Sequence, residues 1–140
     1  MIFRLSRVLA GLWWGGLAAL SFVAVPVVFA SAQAREEAGR IAAAIFSAHA
    51  AWAIVLALLI WVMTQLDALT NGRRIGKGLW LVIFMALINH FGIAPLIVNA
   101  RSTGGNLALW HGIGSALILA QWIAAGWVNW RLSARQSVFS

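Results

Sequence analysis

Three histidines are the side chains of this chain best equipped for chemistry: His49, His90 and His111. A neutral imidazole can donate and accept a hydrogen bond, ligate a metal or hold a haem iron. Asn89 directly precedes His90, and Ser115 lies four residues beyond His111, on the same helix face. His49, Asn89, His90, His111 and Ser115 therefore define a candidate polar pocket. Three readings of it stay open. They are hydrogen-bonding groups that set helix register, ligands of a metal or haem, or the lining of a site for a small amphipathic molecule or ion. No pair of histidines has the local spacing of a metal motif, so a metal would require three helices to converge. No cofactor is assigned. Met63 and Met85 do not neighbour the histidines, which disfavours copper. With no cysteine, disulfides and thiolate metal sites are excluded.

The acidic residues are Glu36, Glu37 and Asp67, and all three fall outside the apolar runs. Carboxylate-coupled proton or sodium transport needs an ionisable relay at depth, and this chain has none there. It also has no glycine-rich phosphate loop, nucleophile elbow or metalloprotease pattern. Enzyme activity is the third choice, behind ligand binding and a non-catalytic accessory role.

The elements that position these residues are four apolar runs, at about 8–30, 41–65, 79–98 and 107–130. Each is close to the roughly 20 residues an α-helix needs to cross a hydrocarbon core of about 30 Å. Only 9% of residues are charged and 63% are apolar, too little polar surface for a soluble domain. The expected fold is all-α: one transmembrane domain over 1–140, a four-helix antiparallel bundle with short loops. Signal-peptide logic fits Arg4, Arg7 and Ala30-Ser31-Ala32. However, an apolar run of about 23 residues exceeds the usual signal-peptide core, so the first helix is read as retained.

The net charge of +7 reflects topology rather than nucleic acid, because the basic residues are unevenly placed. Arg4, Arg7, Arg73, Arg74, Lys77, Arg131 and Arg135 fall on one side; Arg35, Arg40 and Arg101 fall on the other. The positive-inside rule places both termini and the middle loop in the cytoplasm of an inner-membrane protein. Trp13, Trp14, Trp61, Trp80, Trp127 and Trp130 lie toward that same face, as indole rings favour the headgroup boundary. The histidines then fall in the outer half. His49 sits about eight residues into its run, roughly 12 Å deep by helical rise.

Small residues at four-residue spacing mark expected helix contacts: Gly11 and Gly15 in the first helix, and Gly112, Ala116 and Ala120 in the fourth. Pro26 and Pro95 each remove one backbone hydrogen bond near an outer helix end. Asn71-Gly72, Gly76 and Gly78 predict a turn over Leu66–Gly78. No repeat is legible between the two halves. The expected partners are the lipid bilayer and either a membrane-protein partner or a homo-oligomer.

One resemblance rests on particular residues. Trp14-Gly15, Phe22-Val23, Pro26, Phe29, Ala38-Gly39, Phe46, Asn89, Pro95 and His111-Gly112 look like the bacterial family catalogued as domain of unknown function 4149, related to the eukaryotic transmembrane protein 205 family. The resemblance covers nearly the whole chain. It implies a four-helix membrane protein in which Pro26, Asn89 and His111 are the positions to watch. Where the family has a serine and an asparagine after the fourth-helix histidine, this chain has Gly114 and Ile118. Trp14-Gly15-Gly16 with Pro26 is also similar to the CopD and HemJ membrane proteins, which implies haem binding as a second alternative. Those proteins carry a histidine near the start of their first helix, and this chain does not.

Overall fold

The computed structural model describes residues 2–66 and 72–134. All described elements are helical, and four of the helices are long and apolar enough to cross a membrane. The first helix runs α-helical over Ile2–Ala19, π-helical over Leu20–Ala24 and α-helical again over Val25–Ser31. The second is the unbroken Arg35–Leu66. The third has the same three-part build as the first: Gly72–Leu87, a π turn at Ile88–Ile93, then Ala94–Thr103. The fourth is Leu107–Ser133.

These helices outrun the apolar segments, because polar flanks continue the helical hydrogen bonding rather than forming loops. Glu36 and Glu37 occupy the first turn of the second helix, where carboxylates complement the helix dipole. The link before it shrinks to residues 32–34. The link before the fourth helix is residues 104–106. There Gly104 takes a left-handed φ of 73°, and Asn106 caps the helix by accepting from the Leu109 amide at 3.0 Å. The turn expected over Leu66–Gly78 is revised: Gly76 and Gly78 lie inside the third helix, and Asn71 lies outside the described residues.

The fourth helix packs on both the first and the third, and the second helix does the same. Contacts run in opposite numerical order along neighbours. Gly39 lies against Arg101, Ser47 against His90 and Trp61 against Trp80. Likewise Gly11 approaches Asn129, and Trp14 approaches both Gly126 and Trp122.

The tight core sits at the end of the bundle where the first helix begins and the fourth ends, near Ile2 and Ser133. It joins Ala10, Trp13, Ala53, Ala57, Ile60, Leu79, Val82, Ala125, Val128 and Leu132. Its closest approaches set a large ring over a glycine. A methyl on Gly78 would stand 2.7 Å from the Trp127 ring, and one on Gly126 would stand 2.8 Å from Trp14 Nε1. The small residues expected to make contacts behave differently. A methyl on Gly11 would meet Asn129 Oδ1 at 3.9 Å, but nothing lies within 4 Å of one on Gly15 or Gly112. Gly112 and Ala116 are exposed and Ala120 is half-buried. The face that the fourth helix buries instead carries Gly114, Gln121, Ala125, Val128 and Leu132.

The two halves also repeat each other. Ser6, Ala10, Trp13 and Leu17 are buried, and so are Ile75, Leu79, Val82 and Ala86, each 69 positions later. The same shift carries Phe22 to Phe91 and Pro26 to Pro95, and each Phe-Pro pair spans the end of a π turn. In the second and fourth helices, a shift of 72 carries buried Ala42, Ala53 and Ile60 to buried Gly114, Ala125 and Leu132. His49 falls on Gln121 by that shift.

Candidate functional site

Each proline lacks the amide that would close the preceding helical turn, and the chain answers with a π turn upstream. The Val25 amide donates to the Leu20 carbonyl, five residues back. The Ala94 amide does the same to the Asn89 carbonyl. Asn89 and His90 therefore sit on a π turn, a local widening that re-aims side chains relative to a regular helix. Asn89 is half-buried on the stripe Val82, Ala86, Asn89 and Ile93, and its Oδ1 lies 3.4 Å from where a methyl on Gly114 would stand. Ile93 Cγ2 would stand slightly nearer, at 3.3 Å, so Gly114 marks a close approach of the third and fourth helices at this level.

His90 Nδ1 meets Ser47 Oγ at 3.4 Å, with the ring edge-on to Phe91. His49 continues the inward stripe of the second helix, Ala42, His49, Ala53, Ala57 and Ile60. The Ser47–His90 contact puts His49 at the level of Asn89. His49 Nε2 is shielded and meets no hydrogen-bond partner among the described residues; the same holds for Ser21 Oγ and Trp122 Nε1. Leaving such groups unpaired costs about 1–3 kcal/mol each. The half of the bundle away from the tight core thus carries inward polar groups on all four helices.

His111 and Ser115 do not join this layer: both are exposed on the fourth helix. His111 therefore stands apart from His49 and His90, and among the described residues no three His, Cys, Asp or Glu side chains gather where a metal could be held. Ser21, Ser47, Gln121 and Trp122 were not among the site candidates read from the sequence. One signal for them exists: Gln121 repeats His49 in the second hairpin, and Ser21 precedes Phe22 as His90 precedes Phe91.

Neither a curated protein nor a solved structure matches the chain. A family model does match, over residues 8–106. It takes in the first three helices, both π turns, His49, Asn89 and His90, and it stops before the helix that bears His111. By that match the chain belongs to the family described as Domain of unknown function (DUF4149).

Proposed function

We propose that the protein is an antiparallel four-helix bundle of the inner membrane, both termini cytoplasmic, that binds a small hydrogen-bonding molecule in its outer half. The opposed order of contacts along neighbouring helices supports the antiparallel arrangement, and the seven-to-three split of basic residues supports the orientation. The observation that carries the binding reading is His49. Its Nε2 is shielded, unpartnered and level with Asn89 on the π turn. Polar groups at membrane depth that find no protein partner favour a molecule that supplies one. The ligand class is small and uncharged, because the surrounding stripe is apolar and the nearest groups are imidazole, amide, hydroxyl and indole. A haem, which is large and carries two charged propionates, would be a separate cofactor reading, held by His49 or His90.

A second reading has its own observation. Trp52 lies about halfway along the second helix, and its side chain is 65% exposed. An indole N–H at mid-depth finds no acceptor in hydrocarbon, and a partner helix would cover it. This favours an accessory subunit or a homo-oligomer.

Native mass spectrometry of the chain released from its own membrane separates the two. Binding predicts a small-molecule adduct, with a visible absorption band if it is haem. His49→Leu should remove that adduct and His111→Leu should keep it. An adduct indifferent to His49→Leu refutes the site. A bare chain held in a larger complex supports the subunit reading.

A further inference from the structure

We propose that the cleft between the first and fourth helices, at the end where the first begins and the fourth finishes, binds the phosphate of an anionic lipid headgroup through Arg4 and Arg7. The cleft is a shallow, open groove of about 470 Å³ lined by Arg4, Arg7, Val8, Asn129 and Ser133. That volume is in the range of small-ligand sites. Arg4 and Arg7 are one helical turn apart, so their guanidiniums rise from the same face. Arg4 is exposed at the mouth, and Arg7 is half-buried deeper in. Planar guanidinium forks match phosphate oxygens in pairs. Asn129 and Ser133, four apart on the facing helix, add neutral donors.

Charge balance at this end favours an anion. Two of the three acidic residues, Glu36 and Glu37, belong to the first turn of the second helix, at the opposite end of the bundle, and the third, Asp67, lies outside the described residues. Arg4 lies in the opening turns of a helix that begins at Ile2, where the dipole adds to the positive field. Arg131 is occupied elsewhere, over the Trp127 and Trp130 rings at 5.2 and 5.5 Å.

The internal repeat shows that the cleft is particular to this junction. Its counterpart lies between the third and second helices. There Gly76 stands in the place of Arg7, and Trp61 in the place of Ser133. A methyl on Gly76 would lie 3.6 Å from the Trp61 ring, so the indole closes that groove. Arg73 and Lys77 take the places of Arg4 and Val8, so both junctions carry basic residues and what sets this one apart is that no aromatic ring fills it. A lipid headgroup and free phosphate share the chemistry. The lipid is favoured because Val8 supplies an apolar wall where the apolar run begins, at headgroup level.

The test uses the full chain in detergent, offered equal phosphatidylglycerol and phosphatidylcholine and read by native mass spectrometry. The wild type should retain phosphatidylglycerol preferentially. Replacing Arg4→Gln and Arg7→Gln together should cut that preference about fivefold per arginine. Arg35→Gln with Arg40→Gln, at the opposite end, should leave it unchanged. If the Gln pair does not purify, Asn129→Leu reads the same cleft, and a partial loss is expected. Inorganic phosphate bound by the wild type and lost from the Gln pair, without lipid preference, overturns the lipid assignment and gives the cleft to the free ion. No preference in the wild type together with no phosphate binding overturns the proposal. An equal loss from both arginine pairs overturns it too, since that is the field of the whole chain.

Discussion

Replacing Gly78 by alanine isolates how the bundle packs. The new methyl would stand 2.7 Å from Trp127 Cζ3 and 3.1 Å from Cε3. Carbon atoms prefer about 3.5–4.0 Å, so the ring must retreat by roughly 1 Å. It is poorly placed to do so, because Trp127 packs against the core and carries Arg131 above it. Overpacking of this kind costs about 1–3 kcal/mol. The change from glycine to alanine within a helix returns up to about 1 kcal/mol. The expected net is a destabilisation centred on about 1 kcal/mol, within roughly 0–2 kcal/mol. Gly112→Ala supplies the opposite arm, because nothing lies within 4 Å of its new methyl and only the helical gain remains. Gly39→Ala falls between the two: its methyl meets the Arg101 guanidinium, the far end of a flexible side chain that can swing aside. Steric trapping of the purified chain measures all three unfolding free energies directly. If Gly112→Ala proves the most damaging, or Gly78→Ala is harmless, then contacts of small residue against small residue hold the bundle, and the ring-over-glycine account fails.

Alkaline-phosphatase fusions should be inactive after Gly76 and active after Gly104; activity at Gly76 would invert the assigned topology. His90→Ala should cost about 0.6 kcal/mol, the usual worth of one interhelical hydrogen bond, through its Ser47 contact. His111→Ala should fall within experimental error by the same unfolding assay, because the side chain is exposed.

Helix number, approximate position and the uneven charge were legible from the sequence because those signals are local and additive. A run of apolar residues reports its own length, and basic flanks report themselves residue by residue. The family resemblance was legible too, through short motifs in all four helices, and the match over residues 8–106 bears out the family while stopping short of His111-Gly112. Facing was not legible. A soluble helix shows its inner side by a polar outer side, but in a bilayer both sides are apolar and that contrast vanishes. His111 and Ser115 therefore read as equivalent to His49 and Asn89. Only packing against neighbours separates the exposed pair from the inward one.

The same reason hid the glycine contacts and the repeat. Four-residue spacing selected Gly112, Ala116 and Ala120, whereas the close approaches set Trp127 on Gly78 and Trp14 on Gly126. Which glycine receives which ring depends on register between helices distant in sequence. The repeat is carried by buried positions and paired π turns, and few of its residue types are shared. Ser6 and Ile75 hold equivalent places with unrelated side chains. Sequence alone therefore determined that the chain has four apolar spans with a charge bias. The tertiary structure decided which of their polar residues turn inward, because depth follows from position along one helix while facing requires the neighbours to be in place.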